Sequence, residues 1–309
     1  MIDRIIFGDN QFFGINHMSE EKAQALSERF KDLKAITDVM DIAYDCGIRA
    51  FMLNTNERAM EICDYIRSNI SRYPDIRFYP SMPYAHKYAN AVAEKGIFGA
   101  LKDTLMADSS AGEIIGMLTK GGASLFEKDI IKVMQLLVDI EMKIFRNLNV
   151  KVIFLQNIVT DLLLGFGVKD IFRAFAEYIE EKYSVKAGFV TMNMPRLVNF
   201  LIDCGIENPV VCSSINKAGY FMNPGIDAYE KTLKREDFQP IAMSVLASGA
   251  VPPSEAIEYV CSKPAIKGIV FGASSKKHIV ETKEMIESYG KKILISKSPN
   301  SKQIITKSQ

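Results

Sequence analysis

The chain has 309 residues, 48% apolar and 24% charged, which is ample to bury a sizeable core. Its 38 Lys and Arg against 37 Asp and Glu leave no global charge bias, which argues against nucleic-acid or membrane-surface binding driven by bulk charge. No stretch approaches the roughly eighteen continuous apolar residues of a membrane span, and Met1-Ile2-Asp3-Arg4 runs into an apolar strand rather than a secretory leader.

Short apolar runs alternate with longer amphipathic segments, the pattern of βαβ units around a parallel sheet. The first strand is Arg4-Ile5-Ile6-Phe7, stopped by Gly8-Asp9-Asn10. A helix over about Leu33–Asp45 carries apolar residues at helical spacing and ends at Cys46-Gly47. The second strand, Arg49–Leu53, leads to a helix over about 57–71. The third, Ile76–Tyr79, is broken at Pro80 and Pro83. Residues 85–122, with six glycines among loosely helical pieces, read as an insertion after that strand. A long helix over about 127–147 restores the rhythm.

The fourth strand is Val150–Leu155, followed by a helix over about 168–182, and the fifth is Ala187–Val190. Pro195 suits the first turn of the next helix. The sixth, seventh and eighth strands are Pro209–Cys212, Pro240–Met243 and Gly268–Phe271, and a last helix runs to about Tyr289. Eight strands alternating with helices imply an α/β fold, a single (β/α)8 TIM barrel over 1–295 with a helical insertion after strand three and a polar tail at 296–309. The rival is a doubly wound open sheet, but no GxGxxG follows the first strand.

In such a barrel the loops after the strands carry function. Ala247-Ser248-Gly249-Ala250 follows strand seven, and Gly272-Ala273-Ser274-Ser275-Lys276 follows strand eight. Small residues let backbone N–H groups approach an anion, Ser hydroxyls add donors, and a helix starting near Ser274 aims its N-terminal dipole at the same place. These loops, with Gln156, Asn193, Ser213 and Ser244 at other strand tips, form the candidate cofactor-binding set; tight turns and an N-cap are the plainer reading. The candidate catalytic set is Asp9, Asn54, Glu57, Tyr84, His86 and Lys87. Asp9 and Glu57 could work as a carboxylate pair, while Lys87 and Lys217 are candidates for a Schiff base or an anion contact. His17, His86 and His278 form no metal-binding spacing, so no metal is expected. The five cysteines are scattered without a CxxC pair, which reads as buried free thiols in a cytoplasmic protein.

Three segments resemble the aldo-keto reductase family. Gly188-Phe189-Val190-Thr191-Met192-Asn193 is similar to its strand-five segment. Residues 239–249, Gln239 to Gly249, resemble its strand-seven stretch. Gly268-Ile269-Val270-Phe271-Gly272-Ala273-Ser274-Ser275-Lys276-Lys277-His278 resembles the strand-eight segment that grips the phosphate of NADPH. The resemblance implies NADP as cofactor, with Asn193 holding the nicotinamide amide. The catalytic half departs from the pattern. Met52 or Asn54 stands in place of the strand-two Asp, no Tyr follows within Asn54–Arg58, Tyr79-Pro80-Ser81-Met82 occupies the place of the strand-three Lys, and Leu155-Gln156-Asn157 that of the strand-four His. Tyr84 with Lys87, further along the chain, is a candidate for a displaced substitute for the missing phenol and amine.

Three functions are consistent with these residues. The first is an enzyme binding a small phosphorylated or nucleotide ligand at the strand 7/8 corner and running non-redox lyase, isomerase or hydrolase chemistry. The second is an NADP-dependent oxidoreductase with non-standard catalytic residues. The third is a non-catalytic nucleotide-sensing or partner-binding module. The expected partner is a small anionic molecule, not nucleic acid or membrane, with room for an oligomer.

Overall fold

A computed structural model describes residues 1–14, 19–84 and 126–296, with side chains described except in 126–129 and 291–296. The expected insertion at 85–122 and the tail beyond Ser296 lie outside the described residues. Eight parallel strands close into one barrel in sequence order. They are β1 (Ile5–Phe7), β2 (Ala50–Asn54), β3 (Arg77–Met82), β4 (Val152–Leu155), β5 (Lys186–Thr191), β6 (Val210–Ser214), β7 (Gln239–Met243) and β8 (Gly268–Phe271). The ring closes where Ile5, Ile6 and Phe7 pair with Ile269, Val270 and Phe271. Strands buried on both faces read as unbroken apolar runs, and Val152-Ile153-Phe154-Leu155 is almost wholly buried.

Ten α-helices are described: α1 (Glu20–Arg29), α2 (Leu33–Asp45), α3 (Ala59–Ser68), α4 (Phe126–Met142), α5 (Asn157–Phe166), α6 (Lys169–Tyr183), α7 (Met194–Asp203), α8 (Ile226–Thr232), α9 (Pro253–Cys261) and α10 (Lys276–Ser296). The periodicity over Leu33–Asp45 predicts α2 with its observed bounds, and α2 buries Ile36, Val39, Met40 and Ala43. Three expectations are corrected. The third strand runs through Pro80 to Met82, because a proline ends a strand only where its missing N–H is needed. The last helix reaches Ser296 rather than Tyr289. Helices α1, α5 and α8 arise where none was expected. Helix α1 buries no residue and so shows no apolar stripe; it starts on the Ser19 hydroxyl, which accepts from the Lys22 N–H at 3.2 Å.

The chain divides into two compact units, residues 1–52, 192–195 and 211–309 in the first and 53–191 with 196–210 in the second. In the first, the Phe7 ring meets Phe51 and Phe271 edge-on at centroid distances of 5.8 and 5.7 Å. In the second, Phe172 and Phe175 of α6 each lie 5.7 Å from Phe189 of β5. Four of the five thiols are buried and Cys46 is half-buried. Burial alone pushes the Cys212 thiol up to about 12, so it stays protonated and unreactive.

One polar cluster in the second unit joins α4 to α6. Asp139 accepts from the Tyr178 and Tyr183 hydroxyls at 2.7 and 2.6 Å and from Lys182 Nζ at 2.5 Å. Burial, then the Asp139 carboxylate, raises the Tyr183 phenol. Burial is also the first cause at Tyr178, where the Lys182 bond opposes and Asp139 adds to the rise. At Lys182 burial pulls down, but the Asp139 and Tyr178 bonds carry the ammonium above its usual range.

All three groups bind their protons more tightly folded than unfolded. Their contribution is complete below the unfolded values, near pH 10, and is lost as pH rises through the folded ones. Thermal melts at rising pH therefore show stability falling above about pH 10, and Asp139→Asn flattens that fall while costing about 1–2 kcal/mol at neutral pH. A second expectation concerns packing in β5. A Cβ at Gly188 would come within 2.4 Å of the buried Phe154 ring and 2.8 Å of Val152. Gly188→Ala costs about 1–3 kcal/mol by urea unfolding.

Candidate functional site at the strand ends

In the first unit, β8 gives way to an exposed loop at Gly272, with Ala273, Ser274 and Ser275 half-buried and Lys276 exposed. Gly272 leaves room for a neighbour: a Cβ there would fall 2.0 Å from Gln11 Oε1, and the Gln11 carboxamide would have to move aside. Gln11 belongs to the 3-10 turn Asn10–Phe13 after β1, and its Nε2 donates to the Gly8 carbonyl at 2.8 Å. Arg29, the last residue of α1, reaches the same loop. Its guanidinium donates to the Ser274 carbonyl and, at 3.3 Å, to the Ser274 hydroxyl. Ser275 Oγ accepts the His278 N–H at 3.3 Å and so caps α10; His278 itself is exposed. The corner thus gathers one guanidinium, two serine hydroxyls and the start of a helix. That is a donor-rich, positively charged set suited to a phosphate.

The loops after β6 and β7 differ in character. The β6 loop is pinned. Asn216, fully buried, donates through Nδ2 to the Tyr220 carbonyl and accepts the Tyr220 N–H, both at 2.8 Å. Lys217 Nζ meets Glu255 at 2.7 Å, and this bond raises the ammonium, the opposite of what a Schiff-base amine needs. The Tyr220 ring packs on Ala247, Val251 and Ala256, and its hydroxyl is buried with no hydrogen-bond partner among the described residues. An unpartnered buried hydroxyl costs about 1–3 kcal/mol. The turn after β7, to which Ala247 belongs, holds Ser244, Ala247 and Ser248 at φ 52°, 46° and 55°, with Gly249 at 92°. The left-handed region costs a non-glycine residue roughly 1–2 kcal/mol.

In the second unit, the tips of β2 and β3 are held by a residue the sequence reading did not single out. Glu141 of α4 is fully buried and accepts the Thr55 hydroxyl and, at 3.2 and 3.4 Å, the Tyr84 N–H. A carboxylate stripped of water needs such donors. A signal for it was present: Glu141 falls in register with Met134, Leu137 and Val138, which are buried at i, i+3 and i+4 spacing. Asn54 and Tyr84 flank this cluster half-buried, whereas Glu57 is exposed. Gln156 is buried at the start of α5, where its carbonyl accepts the Thr160 N–H at 2.9 Å.

The remaining expected residues fall as follows. Asp9 is buried before the 3-10 turn, and its carbonyl accepts the Phe12 N–H at 2.8 Å. Asn193 is half-buried. Ser213 is fully buried, and its hydroxyl lies 3.0 Å from the Tyr229 hydroxyl, which also accepts the Met194 N–H at 3.1 Å; this group is engaged in packing. Ser248 is half-buried and Gly249 exposed. His17, His86 and Lys87 lie outside the described residues. Arg29, Gln11, Tyr220 and Glu141 are the additions. Replacing Ser248 by Gly removes left-handed strain at a half-buried position. Calorimetry is expected to show a gain of about 0.5–1 kcal/mol.

No family model matches the chain, and no curated protein matches it. Solved structures do. The chain is similar to two structures of a proposed aldo-keto reductase from Pseudomonas aeruginosa, with TM-scores of 0.56 and 0.54, at 10% identity, over 93% of this chain and 91% of theirs. It is also similar to a proposed 2,5-diketo-D-gluconic acid reductase B, with a TM-score of 0.52 at 11% identity, over 94% of this chain and 87% of that one. In fold, the chain is an aldo-keto-reductase-like (β/α)8 barrel.

Proposed function

We propose that the chain is an enzyme that binds a phosphorylated small molecule at the loop after β8 and runs non-redox chemistry on it. The observation that carries this reading is the Arg29 guanidinium lodged on Ser274, at the mouth of a loop that exposes Gly272 and opens α10. Arg29 supplies the counter-charge, and the Ser274 hydroxyl, which already accepts from Arg29, keeps its own proton to donate to a phosphate oxygen. Lys276 adds a second cation. The residues proposed for this chemistry are Asp9, Asn54, Glu57, Tyr84, His86 and Lys87, with Asp9 and Glu57 as its acid–base carboxylates and Asn54 as a hydrogen-bonding group. Non-redox chemistry is favoured by the residues standing where the resemblance places the proton-donating set: Asn54, Ser81 and Gln156 are neither phenol nor ammonium, and a phenol and an amine come only further along, at Tyr84 and Lys87.

A second reading, an NADP-dependent oxidoreductase, is supported by the fold shared with the two reductases above. The β8 loop fits the phosphate end of NADP(H): Arg29, Ser274, Ser275 and Lys276 would hold that group, with Ser244, Ser248, Gly249, Ala273 and Asn193 as further proposed contacts. NADP(H), when bound, supplies the hydride; the chain's own residues would bind it, orient it and exclude water.

Thermal-shift and calorimetric titrations with inorganic phosphate, glucose 6-phosphate, NADP+ and NAD+ test both readings. Binding of phosphate and glucose 6-phosphate, weakened about tenfold or more in Arg29→Ala and by added salt, is the expected result. Preference for NADP+ over NAD+ that disappears in Arg29→Ala favours the oxidoreductase. Indifference to every one of these ligands sinks both.

A further inference from the structure

We infer that Gln11 is a specificity-determining residue of the β8 corner, and that it selects a phosphate monoester carrying a hydroxyl beside the phosphate, as in phosphorylated polyols. The inference rests on the phosphate reading of that corner and sharpens it. Gln11 is 8% exposed. Its Nε2 donates to the Gly8 carbonyl at 2.8 Å, whereas Oε1 accepts no hydrogen bond among the described residues. The Gly8 bond fixes which end of the carboxamide faces the loop, because turning the amide over would set oxygen against oxygen. Oε1 lies over Gly272, the exposed first residue of the loop that carries Ser274. A largely buried amide oxygen without a protein donor takes one from water or from a ligand.

The acceptor and the cation are set relative to each other by packing. Gln11 precedes Phe12 and Arg29 precedes Phe30; both rings are buried and meet edge-on at 5.2 Å. The Arg29 guanidinium lies 5.2 Å over the Phe30 ring and bonds to Ser274. Gly272 and Ser274 are two residues apart, a span of at most about 7 Å. A phosphate seated on Arg29 and Ser274 therefore has Gly272 and Oε1 about one small carbon skeleton away. Its own ionised oxygens gain nothing from a carbonyl oxygen, since both are acceptors. A donor on the adjoining skeleton does. An ammonium there would meet the like charges of Arg29 and Lys276, which leaves a hydroxyl. Arg29 thus reads the charge and Gln11 reads the hydroxyl, the kind of contact that rejects an analogue lacking the group.

The test is calorimetric titration of the full chain with glycerol 3-phosphate and with n-propyl phosphate, at about pH 8, where phosphate monoesters are dianionic. The two esters share a three-carbon skeleton and differ in their hydroxyls. Glycerol 3-phosphate is expected to bind about fivefold tighter or more. Gln11→Met, which keeps the length of the side chain and removes the acceptor, is expected to bring that ratio to about one. The ratio is read within each variant, so a loss of stability from the missing Gly8 bond does not move it. Arg29→Ala is expected to weaken both esters about tenfold. Equal affinity of the wild type for the two esters, or a ratio that survives Gln11→Met, overturns this inference alone and leaves the phosphate reading standing. Binding of neither ester, or affinity for both unchanged in Arg29→Ala, overturns the phosphate reading and this inference with it.

Discussion

The pairing of the first strand with the last governs where function can reside in this chain. Within a parallel barrel every strand gives its amides and carbonyls to two neighbours, so uncommitted backbone groups lie only where strands stop. At the β1/β8 junction the ladder continues one bond past β1, from the Gly8 N–H to the Phe271 carbonyl at 2.9 Å. Two glycines then follow side by side for steric reasons. A Cβ at Gly8 would press on Val270 at 3.1 Å, and one at Gly272 would collide with Gln11. Gln11 closes the space over Gly272, and Arg29 reaches the loop just beyond it, on Ser274. The charged corner is thus a consequence of strand register.

Much of this was legible in the sequence, for physical reasons that can be named. Helix α2 has a clean apolar stripe, and β8 is a four-residue apolar run between Gly268 and Gly272, so both emerge with the bounds they have. The Gly272–Lys276 loop stood out because small residues, serines and a helix start coincide there. Other elements had no such signature. Helix α1 is held by a cap and terminal charges rather than by burial, and α5 exposes Ile158, Leu162 and Phe166 while burying Thr160, so its apolar stripe does not mark its buried face. Arg29 could not be foreseen as a neighbour of Ser274, because 245 residues separate them in sequence. That the Tyr220 hydroxyl has no partner among the described residues is a fact of packing that no pattern announces.

A fold shared at 10–11% identity fixes where loops emerge and leaves their chemistry open. That distinction matters at the tips of β2 and β3. The position after β2 carries a threonine whose hydroxyl is spent on Glu141, and the residue after Pro83 gives its backbone N–H to the same carboxylate. A carboxylate so enclosed serves the two strand ends by holding them. Its hydrogen bonds are made to Thr55 and Tyr84, neighbours of the side chains named for chemistry, so any reaction run at these tips inherits its geometry from Glu141. This is the expected division between a group that acts and a group that positions it.

The β7 turn makes the same point in energetic terms. Three non-glycine residues in the left-handed region are unfavourable terms gathered in one short stretch. Natural turns usually relieve such positions with glycine, and here Gly249 does so at only one of four. Nearby, the buried cluster of Ala247, Val251 and Ala256 supplies compensating apolar contact, which is what holds the turn down. Apolar contact of that kind is weakly directional, whereas the Asn216 clamp beneath it is highly directional. The loop after β6 is therefore specified by directed bonds, and the turn after β7 is held by burial against its own strain.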